Sequence, residues 1–393
     1  MPLHDVGYRA WKGRLLGPLS VVVVISATGI RVAWTSRWLR RAVLFAWSPA
    51  IVFGASFFAL EQAVEEGRFA SMQEGMNRGR NIDGVGLLGT VLADALGGTS
   101  LDASGVPRDL DAMRHLVWSR LLLAFMRAPQ AVLLAVVVGL VAPTLISRDL
   151  RAKAWLVYFT RPVGRSEYIL GKFLILVILI GAITLLPGLA LWGVGVLVSP
   201  SVSVAIATCD LPLKVLASSF AVAVPTVIVA LAYSSLTAES RIASFAWFAT
   251  WIACWIAHGA LTTADAVAAG REDPGQPAGV FRGSDALDQL EQELGRIDPD
   301  GSGPGGRSAQ TVSGLPPAVG RQLGWLAVAA GVDPRLDRWA WISPYHALGV
   351  LQAAIFGIER RPAAIIPSAM MLMTLTCAGI VILVWRVDAP ARA

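Results

Sequence analysis

The chain has 393 residues, of which 55% are hydrophobic and only 15% charged, and its mean hydropathy is +0.60. A soluble domain carries about 25% charged residues, so this chain lacks the polar groups to cover a water-facing surface. The net charge of +6 and the isoelectric point near 9.6 do not point to nucleic acid. The basic residues gather at the ends of apolar runs, where they meet anionic lipid headgroups and fix orientation.

A bilayer removes the surface problem but requires every backbone polar group to be satisfied internally, which only helices and closed barrels achieve. The apolar runs are continuous rather than alternating, which selects helices. The fold class is therefore an all-α polytopic membrane protein with about six transmembrane helices.

The N-terminal residues 1–14 are polar and basic, and Pro18 interrupts the first apolar stretch, so no cleavable signal peptide is read. The first strong span is expected to act as an uncleaved insertion signal. Residues 15–30 are apolar but short. Arg31, Arg37, Arg40 and Arg41 with Trp34 and Trp38 suit an amphipathic helix lying in the interface. Residues 1–41 are read as a cytoplasmic N-terminus and interfacial elbow helix; insertion of 15–30 as an extra short span stays open.

Spans of about 20 apolar residues fall near 42–60, 128–147, 169–198, 213–236, 242–264 and 363–385. Residues 42–264 thus hold transmembrane helices 1–5, with an outer loop at 61–127 and a cytoplasmic loop at 148–168. The third span is long enough to tilt or break, and Pro187 with Gly188 is the expected break. Pro49, Pro225 and Pro367 mark further kinks. Residues 265–362 form a long outer loop. Its 271–320 portion is rich in Gly, Pro, Asp and Ser, and 339–358 is a short apolar helix at the outer interface. Residues 363–393 hold helix 6 and a cytoplasmic C-terminus.

Orientation follows from Lys and Arg. The N-terminal segment has Arg9, Lys12, Arg14, Arg31, Arg37, Arg40 and Arg41, and the 148–172 segment has Arg148, Arg151, Lys153, Arg161, Arg165 and Lys172. Both groups share one side if the first two spans form a hairpin, which puts both termini in the cytoplasm.

Several motifs fail on context. Gly84, Gly86 and Gly89 satisfy G-x-G-x-x-G but have no strand–turn–helix unit around them. Asp298 to Gly303 resembles the start of a calcium loop, yet its twelfth position is Ala309, which has no carboxylate to give. The four histidines, His4, His115, His258 and His346, show no metal spacing and no common face. Only His258 lies in a span, where packing or interhelical hydrogen bonding is the expected role. Cys209, Cys254 and Cys377 give no disulfide framework. No catalytic, cofactor or metal site is read. There is no phosphate-binding G-x-x-x-x-G-K-[ST] loop either, so energy from ATP would come from another polypeptide.

Glu61 and Arg127 lie at span ends and Lys214 at an outer edge. Ionisable groups at membrane depth mark ion-coupled carriers, and their absence argues against a secondary transporter. A non-transporting membrane anchor or assembly protein, with the outer loops as its binding surface, is the other alternative.

The most informative stretch is 147–172, SRDLRAKAWLVYFTRPVGRSEYILGK. Pro162 and Gly164 break it between two helical pieces. Ser166 is a candidate N-cap, Glu167 suits the first turn of the next helix, and Lys172 is placed to snorkel. Such a loop can be an ordinary cytoplasmic connection held by positive-inside charge; a helix–break–helix loop can also serve as a rigid handle for a partner.

From Thr160 to Lys172 the run TRPVGRSEYILGK resembles the permease subunits of ABC-2 type transporters. Asp149 stands where that family often has glutamate, and Arg151 to Ala154 replace a commoner Gly-Thr pair. The elbow, six spans and the Ser343-Pro344 outer helix are similar in topology. The resemblance implies an exporter in the cell inner (plasma) membrane, in which 148–168 is a coupling helix docking into an ATP-binding cassette ATPase subunit. ATP is then bound by that partner, two permease subunits pair as a homo- or heterodimer, and membrane lipid surrounds them. Asp149, Arg151, Arg161, Pro162 and Arg165 are the expected coupling residues. The substrate is not read.

Overall fold

The computed structural model describes residues 17–65, 92, 96, 110–127, 129–154, 164–199, 201, 203–272, 326, 329–330 and 339–388. Among the described residues there is no strand. The elements in chain order are α1 (Pro18–Trp34), α2 (Arg37–Glu65), α3 (Leu110–Arg127), α4 (Pro129–Arg151), α5 (Arg165–Ile183), α6 (Leu185–Val198), α7 (Ser203–Ala207), α8 (Asp210–Leu236), α9 (Ser240–Glu272), a 3-10 turn (Ala340–Ile342), α10 (Pro344–Ile355) and α11 (Pro362–Asp388). Six helical runs are long and apolar enough to cross a membrane, and the protein is an all-α, multi-pass membrane protein.

Pro18 starts α1 at a position whose missing N–H loses nothing and whose φ is already helical. α1 runs alongside α5 in the same direction. Gly171 faces Ile25, and a Cβ added there would sit 2.6 Å from the Ile25 side chain; Gly29 faces Ile175 in the same way. The two glycines let the helix axes approach, and the Ser26 hydroxyl, shared with Val22 O, also reaches Gly171 O at 3.1 Å. Arg37, Arg40 and Arg41, read with the elbow, instead open α2.

The second span is longer than its apolar stretch. With α3 it forms a run from Asp111 to Arg151 of 41 residues, on the order of 60 Å at 1.5 Å per residue, about twice the hydrocarbon thickness. α3 therefore occupies part of the segment read as loop at 61–127. Its Asp111, Arg114, His115 and Arg120 broke the hydropathy pattern, yet Arg114 turns inward to a partner. In the third span the break falls at Thr184, where α5 ends and α6 begins. Pro187 lies just downstream: its missing N–H leaves Ile183 O without its helical donor, and its ring crowds the preceding turn. The expected break is present, displaced upstream by that turn.

α10 was expected at the outer interface. One side of it packs against the spans: Ala347, Leu348, Gly349, Val350, Gln352 and Ala353 are buried. Tyr345 Oη donates to Arg127 O at 3.1 Å. Trp339, just before the 3-10 turn, donates from Nε1 to Asp265 Oδ2 on α9 at 2.7 Å. The rings of His258 and His346 stack with centroids 3.5 Å apart, so two histidines without a common face in the sequence meet in the fold.

Two apolar cores result. One joins Leu39 to Ala46 of α2, Leu134 to Ile146 of α4, α5, Val222 to Ala232 of α8, and α11. The other joins Phe53 to Ala63 of α2, α3, Leu191 of α6, and Leu211 and Val215 of α8. α10 contributes Ala347 and Leu348 to the first and Ala353 to the second. Outside them, α9 exposes Ile242, Phe245, Ile252, Trp255 and Ile256, and α11 exposes Met370, Met373, Val381 and Trp385. Apolar surface on this scale suits lipid rather than water.

Glu61, read at a span end, is fully buried in the second core. Arg114 Nε lies 3.0 Å from its Oε1, and Trp118 Nε1 donates to the same oxygen at 3.1 Å. Removing one partner of a buried pair leaves an uncompensated charge, which costs about 3–5 kcal/mol. Arg114→Met is therefore expected to lower the thermal midpoint of the purified protein by several degrees. Adding Glu61→Gln to it is expected to recover most of the loss, as read by thermal unfolding in detergent.

Candidate functional site at the basic end of α4

Five helix termini share the end of the bundle that carries Arg148, Arg151, Arg165, Arg241 and Arg386: the ends of α4, α8 and α11 and the starts of α5 and α9. The end of α4 is bonded to three of the other four.

Asp149 ties α4 to α5. Its Oδ2 accepts from Tyr168 Oη at 2.7 Å and pairs with Lys172 Nζ at 2.8 Å. The Lys172 ammonium also lies 5.4 Å from the Tyr168 ring centroid. The lysine expected to snorkel is instead 12% exposed at its side chain and held by a carboxylate. Asp149 itself is 18% exposed, so it faces into the helix pair rather than outward.

Ser234 ties α4 to α8. Pro143 sits inside α4 and weakens its ladder. Ser234 Oγ enters there: it accepts from the N–H groups of Ile146 at 3.1 Å and Ser147 at 3.2 Å, and donates to Pro143 O at 3.1 Å. Ser147 Oγ returns a bond to Ser234 O at 2.8 Å. Arg386 Nε of α11 donates to Ser235 O at 3.2 Å, which binds the last helix to the same point.

Arg151 ties α4 to the α8–α9 connection through an ion pair with Glu239. These two side chains and Arg148, Ala238, Ser240 and Arg241 line an open cleft of about 460 Å³. The cleft holds three guanidinium groups and one carboxylate. Among the described residues Arg148 and Arg241 make no ion pair.

α4 stops through a Schellman arrangement. Lys153 N–H bonds Leu150 O at 3.2 Å and Ala154 N–H bonds Asp149 O at 3.0 Å, with Lys153 in the left-handed region at φ 49°. A non-glycine residue there costs roughly 1–2 kcal/mol. α5 restarts after Gly164, not at Ser166: Gly164 is the N-cap residue, and the carboxylate of Glu167 accepts its N–H at 3.0 Å. Gly164 has no side chain, so only the glutamate half of a capping box exists.

Of the expected coupling residues, Asp149 and Arg151 end α4, and Arg165 is exposed at the start of α5. Arg161 and Pro162 lie outside the described residues. Tyr168, Ser234, Glu239 and Arg241 complete the site and were not singled out in the sequence. Ser234 and Ser235 closing an apolar run, and the charges of Glu239 and Arg241 in a short connection, were the available signals.

The profile of the ABC-2 family transporter proteins matches residues 16–386. The chain belongs to that family. No curated protein matches the sequence.

Lys153→Gly is expected to stabilise the protein by about 1 kcal/mol by relieving the left-handed strain, read as a rise in thermal midpoint. Asp149→Asn removes the charge that holds Lys172 and weakens the bond from Tyr168. It is expected to lower stability by about 1.5–3 kcal/mol, the range for hydrogen bonds to charged groups, and to speed amide exchange in the first turns of α5.

Proposed function

We propose that this chain is the membrane subunit of an ABC-2 transporter that exports its substrate, and that the end of α4 receives the stroke of a separate ATPase subunit. The observation that carries this reading is the convergence of bonds on one turn. A displacement applied at 148–154 acts on α5 through Asp149, on α8 through Ser234 and on α9 through Glu239. Coupling needs a stiff lever that biases two packings of the bundle, and a helix end so tied supplies one.

In this reading the basic end is cytoplasmic, with both termini on that side, and the protein resides in the plasma membrane. On this reading Arg161 and Arg165 pair with acidic groups of the ATPase, with Pro162 setting the bend. Asp149 and Arg151 act within the permease, one holding α5 and the other α9. The basic cleft beside Arg151 suits acidic side chains of the partner. ATP is bound and hydrolysed by the partner, and a second permease subunit, identical or not, completes the pathway.

Reversing charge at Arg161 and Arg165 together is expected to weaken ATPase binding to permease-containing membranes at least about tenfold, because a truncated interfacial charge pair costs about 2–5 kcal/mol. Insertion of the spans stays intact. Wild-type retention of the ATPase by Arg161→Glu/Arg165→Glu membranes contradicts the reading.

A further inference from the structure

Between the two apolar cores lies a layer of buried polar side chains, at the level of the α5–α6 junction. Gln130 is in the first turn of α4 and is fully buried. Thr184 is the α5–α6 junction itself and is 3% exposed. Ser219 of α8 is 4% exposed and Gln352 of α10 is 3% exposed. All four line one cavity of about 10 Å³, together with Met126 and Trp251.

The hydrogen-bond inventory of this cavity is unbalanced. Gln130 Nε2 donates to Ala46 O at 2.9 Å, but Gln130 Oε1 is buried with no partner. Thr184 Oγ1 gives its proton to Ile180 O at 2.9 Å and has only lone pairs left to offer. Ser219 Oγ is buried and unpartnered. A buried acceptor or donor left unmade costs stability, and native structures rarely tolerate several together. A single water molecule needs about 10–15 Å³ of such space and two to four polar partners.

We propose that this cavity is a water-binding site, in which one molecule donates to Gln130 Oε1 and Thr184 Oγ1 and accepts from the Ser219 hydroxyl. The ligand is water and not a larger polar molecule, because the space admits nothing bigger. Its place is specific: it joins the start of α4, the α5–α6 break and α8, so an exchangeable hydrogen-bonding group sits where the third span is interrupted. The inference does not depend on the proposed ATPase partner.

Pulsed X-ray radiolysis of the full chain in lipid nanodiscs, with a radical scavenger in the bulk solvent, tests it. Bound water forms hydroxyl radical in place and oxidises the side chains that touch it. Met126 lines the cavity at 2% exposure, whereas Met113, at 4%, is buried in the second core away from it. Met126 is expected to oxidise several-fold faster than Met113, and the excess is expected to vanish in Gln130→Leu/Ser219→Ala. Equal, slow oxidation of both methionines in the wild-type protein overturns the proposal. So does an excess at Met126 that survives in the folded double variant, since the water is then not held by these groups. If that variant does not fold, the wild-type comparison alone decides.

Discussion

The two contacts of Asp149 Oδ2, with Tyr168 and with Lys172, hold the basic end of the bundle together. α4 and α5 follow one another along the chain through the 152–164 connection, and both carry arginine or lysine near their tips. Without a carboxylate between them the like charges of Arg148, Arg151, Arg165 and Lys172 would push the two ends apart. Asp149 is the only acidic residue of α4 and answers Lys172, while Arg151 is answered by Glu239. The same turn then carries Ser147 to α8 and Arg151 to Glu239, and neither contact keeps its geometry if α4 swings away from α5.

The rest of the bundle fits a lever of this kind. The α3–α4 run is far longer than a bilayer requires, so its basic end and its opposite end serve different surroundings. At the opposite end its charges are consumed internally: Arg114 meets Glu61, and His115 meets Asp210, which also holds Lys214. At the basic end Arg148 and Arg241 remain open beside a cleft. Internal pairing at one end and available charge at the other is the asymmetry that the proposed ATPase contact uses.

Much of the fold was legible in the sequence because lipid imposes a simple rule. Runs of about 20 apolar residues gave the number of spans, and Pro187 gave the break in the third. What the sequence hid was apolar burial under charge. Leu110 to Arg127 holds Asp111, Arg114, His115, Arg120 and Arg127, and no hydropathy window reveals that Leu121 to Met126 are almost wholly buried there. α10 was legible as a short apolar helix, but its burial against the spans was not, since length alone does not say which side of a helix is covered. In the site, Asp149 was expected from the resemblance to the ABC-2 permeases, where it stands at a position often held by glutamate, yet its contacts with Tyr168 and Lys172 look inward. Those partners lie one turn apart on α5, which becomes meaningful only once the α4–α5 hairpin closes. Ser234 was invisible for a further reason: its hydroxyl bonds to the backbone of α4, accepting from the N–H groups of Ile146 and Ser147 and donating to Pro143 O, and no side-chain motif records such bonds.

The central claim is that the α4–α5 end faces the cytoplasm and is covered there by an ATPase. Labelling of Arg165→Cys with a membrane-impermeant maleimide tests it most directly, in a background where Cys209, Cys254 and Cys377 are replaced by serine. Membrane vesicles of both orientations, with and without the ATPase, supply the comparison. The account predicts reaction in inside-out vesicles only, slowed when the ATPase is bound. Reaction in right-side-out vesicles and none in inside-out ones would contradict it.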